Sequence, residues 1–225
     1  LAIGPYDADT VVNYELGFKG RVIPGVLTID TALFQIDWKH IQLQGTSPNQ
    51  LGFLTNGGKA RSRGLEFSAN LTPWRGMSID AALALTDAEL TQTLPNAGAS
   101  SLRGLAGDKL PYTADVTGSI TAQQRFGLSE RLEGSLGANL TYVGDRPGAF
   151  SQVNGTRPRV QIPEYETINL TGGLTFDRVW SATLFLRNAF DKRGVVAAQN
   201  RNGTNVPTAL FVQPRTLGLT LARNF

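Results

Sequence analysis

His40 is the single histidine of the chain and cysteine is absent, so no His/Cys set exists for a zinc-type site. A Ser–His–Asp relay would have to run through His40, and no G-x-S-x-G turn occurs. Gly57-Gly58-Lys59-Ala60 lacks both the Ser/Thr and the earlier Gly of a phosphate-cradling loop. N-x-T occurs at Asn70, Asn139, Asn154, Asn169 and Asn202. In three of these, two polar residues flank a Leu in an alternating stretch, so the pattern reflects a strand before it reflects glycosylation. No catalytic group, resident cofactor or metal centre is read here, and transport or binding is expected in place of catalysis. What remains is charge. Arg103, Lys109, Arg146, Arg157, Arg159, Lys192, Arg193 and Arg201 outnumber Asp108, Asp145 and Asp191 over 91–111, 144–163 and 191–213. Such an imbalance attracts an anionic ligand, with Arg146, Arg157, Arg159 and Arg201 as candidate contacts. Lipid phosphates or plain solubility would explain the same charges, and the Asn, Gly, Ser and Gln around them also suit carbohydrate. A net charge of +3 does not imply nucleic acid.

The elements that would hold these residues alternate with period two. Strands are expected near 11–20, 26–43, 60–72, 77–90, 112–126, 131–143, 164–176, 179–190 and 214–225. The cleanest alternation sets Leu132, Gly134, Leu136, Ala138, Leu140 and Tyr142 against Glu133, Ser135, Gly137, Asn139 and Thr141. In the second strand the apolar parity switches, from Leu27, Ile29 and Leu33 to Phe34, Ile36 and Trp38, which predicts a β-bulge near Leu33. Gly64 near a strand start suggests close packing or another bulge. No stretch of about 18 apolar residues is present, so no transmembrane helix is expected. The first residues carry neither a basic start nor an apolar run.

The connections alternate in length. Short ones fall at 21–25, 73–76, 127–130 and 177–178, and long ones at 44–59, 91–111, 144–163 and 191–213. Long strands with short turns at one end and long loops at the other suit an antiparallel transmembrane β-barrel. Phe18, Phe126, Phe176, Trp180 and Phe225 are expected in one interfacial girdle, with Trp74 in a short turn. Trp38, Tyr142 and Phe190 are expected in the other. The opposite parity is rich in Thr, Ser, Asn and Gln, with Glu15, Lys19, Glu66, Asp80, Asp115, Arg125, Glu133 and Arg187, as a hydrated or plugged lumen requires.

YELGFKG (14–20), TNGGKARSRGLEF (55–67), LPYTADVTGS (110–119), LRNAFDKR (186–193) and PRTLGLTLARNF (214–225) resemble the carboxy-terminal barrel half of TonB-dependent outer-membrane receptors. Ala114 stands where that family often has Pro, and Leu217 where it often has an aromatic. The resemblance implies a 22-stranded plugged barrel. Residues 1–225 would be its last nine strands, with the plug and earlier strands absent from this chain. Nine strands alone would leave two unpaired edges in a membrane, so a piece of a longer polypeptide is expected. Thr216, Gly218, Leu221 and Phe225 match the family's assembly signal, read by the barrel insertion machinery. Glu15, Glu66 and Arg63 would join lumen networks that anchor the plug. The implied function is TonB-dependent uptake of a scarce nutrient across the bacterial outer membrane, foremost a ferric siderophore or similar metal chelate. Cobalamin, oligosaccharide and a passive porin are the alternatives. The implied partners are the TonB complex, the insertion machinery, outer-membrane lipid and lipopolysaccharide, and a small ligand.

Overall fold

A computed structural model describes residues 6–46, 52–94, 102–152, 159–200 and 207–224. Nine strands make one antiparallel sheet: β1 Thr10–Ile23, β2 Leu27–Lys39, β3 Lys59–Leu71, β4 Met77–Gln92, β5 Val116–Gly127, β6 Leu132–Val143, β7 Tyr165–Phe176, β8 Trp180–Arg187 and β9 Thr216–Arg223. Their spatial order is their chain order, so every connection is a hairpin. β1 does not pair with β9, and the sheet is open. The strand starts and stops differ from the sequence reading at the long-loop end. β2 stops at Lys39, where His40 takes a φ of 55°, and a separate hairpin joins Gln42–Thr46 to Gly52–Asn56. A second hairpin, Val195–Asn200 with Pro207–Phe211, rises between β8 and β9.

The sheet has two chemically different faces. Directly paired residues share a face, and one leucine rung runs Leu16–Leu33–Leu65–Leu85–Val116 across five strands. Another runs Leu27–Leu71–Ile79–Ala122–Ala138–Leu170–Leu186–Leu217. Many of these outward side chains stay uncovered by the rest of the chain: Leu16 is 75% and Leu217 67% exposed. Aliphatic rungs of this extent in water would be costly, whereas lipid is their natural solvent. The second rung starts at the short-turn end of β2 and finishes at the long-loop end of β8 and β9. That climb, roughly 20 Å over seven strand spacings of about 4.8 Å, gives a tilt of roughly 30°, near that of closed barrels.

Phe18, Phe126, Phe176 and Trp180 lie outward at the short-turn rim, as read from the sequence. There Arg131 stacks over the Phe176 ring, 4.8 Å from its centroid, and Arg223 over Trp180 at 5.0 Å. Arg131 also pairs with Asp177 in the next turn. That contact holds the Asp177 carboxyl below the usual carboxylate range and raises Arg131. The turn has two consecutive positive-φ residues, Asp177 at 51° and Arg178 at 59°, and Val179 donates to the Phe176 carbonyl at 3.0 Å. Positive φ at both central positions is what a tight hairpin requires. Phe225 lies outside the described residues.

Two expectations fail on the same ground. Pairing of β2 with β1 and with β3 runs through Leu33 without a shift, so no bulge exists there. The parity switch is a change of environment instead. Beyond Leu33 the outward positions become Gln35 and Asp37, and the apolar positions Phe34, Ile36 and Trp38 lie inward. Trp38 is therefore not in an outward girdle. It packs against a buried cluster of Ile41, Ala60, Leu90, Leu94 and Phe150, together with Leu110, at the long-loop end. Phe190 sits beyond the end of β8 and is exposed. Tyr142 lies outward, as expected, and its hydroxyl pairs with Glu164 at 2.5 Å.

Candidate functional site

Inward-facing residues of β1–β6 line a groove of about 550 Å³ that includes Glu15, Asp30, Glu66, Ser68, Ser119 and Thr141. The alternation of β1 and β3 puts Glu15 and Glu66 on this face, diagonal to one another across β2. Lys19 donates to Asp30 at 2.8 Å and Asn70 to Asp80 at 2.7 Å further towards the short turns. Asn13 reaches the Glu15 carboxylate at 3.3 Å. Among the described residues no side chain pairs with the Glu66 carboxylate. Carboxylates and hydroxyls in one groove can accept hydrogen bonds from a cationic or amide-rich surface laid against them.

Arg63 does not join this groove. Its odd position in β3 turns it to the other face, where it donates to Asp87 at 2.9 and 3.1 Å. Gly64, beside it, is inward and carries no bulge. A Cβ there would overlap the Phe34 ring and the β4 backbone, so close packing is its role.

Across β5–β8 the inward polar residues connect. Asn139 donates to Thr121 at 2.9 Å, Asn169 to Asn139 at 3.1 Å, and the main-chain N–H of Asn188 to Asn169 at 2.9 Å. Asn188 is 4% exposed with a φ of 47°. Its amide donates to the carbonyls of Lys192 and Gln213, and its oxygen accepts from the Lys192 N–H. Asp191 then accepts from the Arg215 main chain at 3.0 Å. That bond, aided by Arg193 and the Arg215 charge, holds the Asp191 carboxyl below its usual range. The LRNAFDKR stretch is thus a knot tying the exit of β8 to the entry of β9. The sequence offered no signal for this beyond an Asn able to adopt positive φ.

The outer mouth is framed by arginines that bond to loop carbonyls. Arg146 is 5% exposed and donates to the carbonyls of Gly144, Val195 and Val196, with Tyr165 beside it, 5.6 Å from ring centroid to guanidinium. Arg159 donates to the Lys109 and Gly148 carbonyls at 2.8 and 2.9 Å and covers the Phe150 ring. Burial lowers its basicity, and its Nε has no acceptor among the described residues. Lys109 pairs with Asp115, which raises the lysine. Tyr112, at a φ of 59°, donates its N–H to the Pro147 carbonyl and its hydroxyl to the Ala198 carbonyl. Arg157 and Arg201 lie outside the described residues, so the four loop arginines are not seen together. His40 is exposed at the end of β2, and among the described residues no group of three metal-ligating side chains exists.

In β9, Thr216 and Gly218 face inward, opposite Arg187 and Phe185, while Leu221 faces outward opposite Ala182. These three share a strand and an edge, not a patch. Gly218 has a packing role of its own, since the Phe185 ring fills the space a Cβ would take.

A family model described as "TonB dependent receptor-like, beta-barrel" matches residues 1–189. The metal-pseudopaline receptor CntO of Pseudomonas aeruginosa is 27% identical over 222 residues, which is 98% of this chain and 28% of the relative. The chain thus spans little more than a quarter of that relative's length. Among solved structures, the ferric yersiniabactin uptake receptor FyuA from Yersinia pestis superposes with a TM-score of 0.78 at 20% identity, covering 99% of this chain and 31% of that one. The ferric-catecholate import receptor Fiu from E. coli gives 0.70 at 21% identity, covering 98% and 28%. Likeness at that identity speaks for the fold alone.

Proposed function

Because this chain belongs to the TonB-dependent receptor family, as part of its outer-membrane β-barrel, we propose that it forms the carboxy-terminal wall of a plugged barrel importing a metal chelate, foremost a ferric siderophore. The observation that carries this reading is the sidedness of the sheet: aliphatic rungs outward, and a groove lined by Glu15, Asp30 and Glu66 inward. A wall of this kind separates lipid from a polar interior. Both outer strands keep an edge without a partner among the described residues, which supports a larger closed barrel, since open edges are costly in a bilayer.

In this reading a plug docks its polar side against the Glu15 and Glu66 groove, and the long-loop mouth admits the ligand. Arg146 and Arg159 act mainly as loop struts. Direct contact with an anionic chelate falls to Arg157, Arg201 and the outer edge of Arg159. Energy comes from TonB acting on the plug, so ligand binding must bias the plug's state. The barrel insertion machinery reads β9, and lipopolysaccharide surrounds the outer rim. No catalytic role is proposed. The names of the relatives favour metal chelates over cobalamin or oligosaccharide.

The test is growth of a strain lacking the complete receptor, under metal restriction, on a panel of ferric and other metal chelates. Restored growth from the plasmid-borne receptor in a TonB-positive strain only, and on one chelate class, is expected. Uptake that persists unchanged without TonB points to a passive pore and overturns the reading.

A further inference from the structure

Between its rims the inner face of the wall divides into two lanes of different charge. On β1–β4 the inward positions carry Glu15, Asp30, Glu66 and Asp80 against one cation, Lys19, which Asp30 already holds at 2.8 Å. On β5–β9 the inward positions from Thr117 to Gln123, Ser135 to Val143, Tyr165 to Thr175, Ser181 to Phe185 and Thr216 to Ala222 carry no charge. Most of them are Ser, Thr or Asn. Charge returns only at the ends, with Arg187 towards the long loops and Arg125 and Glu133 towards the short turns. The neutral lane is also low in relief. Gly137 and Gly173 face inward, and the hydroxyls of Thr171 and Ser135 lie where their side chains would be. Asn139 and Asn169 are bonded to each other and to Thr121, so their amides are oriented before any ligand arrives.

The two lanes treat an anion differently. Hydroxyls and side-chain amides both donate and accept, so a hydrogen bond that a polar ligand breaks on moving along the lane is remade one step on. Passage needs many weak sites of this kind and no strong one. Beside the carboxylates of β1–β4 the same anion is repelled, while a cationic or amide-rich protein surface is held. We propose that an anionic chelate crosses the lumen along the inward face of β5–β9, the plug staying seated on the acidic lane of β1–β4 while it yields on the neutral one. This rests on the plugged-barrel reading above and adds the side of the wall on which passage opens. The residues that set the side are the carboxylates Glu15, Glu66 and Asp80 and the uncharged run through Thr171 and Thr183.

The chain has no cysteine of its own, so single introduced thiols report locally. The test places Thr171→Cys or Thr183→Cys in the neutral lane and Ala32→Cys, directly paired with Glu66, in the acidic one. Each is made in the complete receptor with any other cysteine replaced by serine. TonB-positive and TonB-negative cells, fed a mixture of ferric catecholate, hydroxamate and carboxylate chelates under metal restriction, are exposed to an anionic sulfonate or a cationic trimethylammonium methanethiosulfonate. Mass spectrometry reads the labelled fraction with time. At Thr171→Cys and Thr183→Cys the anionic reagent is expected to react about tenfold faster with TonB than without, the low end of what a favourable field does to an encounter rate. At Ala32→Cys neither reagent should gain from TonB, and the cationic one should outpace the anionic. Heat-modifiable migration reports folding, and if one neutral-lane variant does not fold the other decides. A gain at Ala32→Cys equal to that at the neutral lane overturns the proposal. So does the absence of any gain in cells whose growth on the chelates needs TonB. Growth that does not need TonB overturns the importer reading itself, and the proposal with it.

Discussion

The ring of Phe185 lies over Gly218, its directly paired neighbour in β9, and occupies the volume a side chain there would need. Arg187 stacks on the same ring, 5.0 Å from its centroid, so the ring is held from a second side. A glycine in a strand gives up side-chain packing, and an aromatic laid across it recovers that packing. Phe126 over Gly134 repeats the device between β5 and β6. Gly218→Ala should therefore lower barrel stability by about 1–3 kcal/mol through overpacking. The midpoint of heat-modifiable migration measures it. Combining it with Phe185→Leu should recover much of the loss, which a defect confined to assembly would not do.

Leu90 is 1% exposed within the cluster that seats the loops on the inward side of β2–β4. Leu90→Ala should cost about 2–5 kcal/mol, because the surrounding loops cannot fully collapse into the void. The loss belongs to the mouth, not the wall. Protease cleavage near 102–110 on intact cells should rise while the barrel still migrates as folded.

Asn188→Ala removes three side-chain hydrogen bonds and leaves the Lys192 and Gln213 groups without their partner. Each buried group left unsatisfied costs about 1–3 kcal/mol. Cleavage within 191–213 should increase strongly. Asn188→Gly should behave similarly, since it relieves the positive φ but restores none of the bonds.

Asp191 adds a pH dependence to that knot. Its folded carboxyl titrates below the usual value because the Arg215 N–H favours the charged form. The contribution is fully present above the ordinary carboxylate pKa of about 3.9, and is lost as pH falls through the lower folded value. Loop protection should thus be flat from neutral pH down to about 5 and weaken only in stronger acid. Asp191→Asn should remove that acid step, measured with an acid-tolerant protease.

Glu15→Gln with Glu66→Gln tests the inward groove. If a plug rests on these carboxylates, the doubly neutral receptor should hold it less firmly. The outer membrane should then admit a bulky antibiotic that intact cells exclude. Unchanged exclusion and uptake would mean that these carboxylates are merely solvated.

Sidedness was legible in the sequence wherever a strand stays within the bilayer, as in β6 and β7, because lipid and lumen impose opposite polarity on alternate residues. It failed in the upper half of β2. Phe34, Ile36 and Trp38 look like the continuing lipid side, yet they face inward because the strand has left the membrane and the loops supply a core of their own. Arg63 was placed in the lumen by the family resemblance alone; its own parity, shared with Leu65 and Phe67, points outward, where it meets Asp87. Arg146 shows a different gap. A loop arginine reads as a ligand contact by charge, while its burial under the Val195 and Val196 carbonyls depends on how distant loops meet. The Asn188 knot is likewise tertiary, joining residues 25 positions apart by one amide.

The climbing rung from Leu27 to Leu217 also says how this wall would carry a load. A pull along the pore axis meets strands that lean, so part of the force runs down covalent backbone and part shears whole ladders of hydrogen bonds loaded in parallel. Bonds loaded together yield at far higher force than bonds opened one after another. Traction on anything lodged inside would thus be spent on the lodged element, while its sleeve keeps its shape.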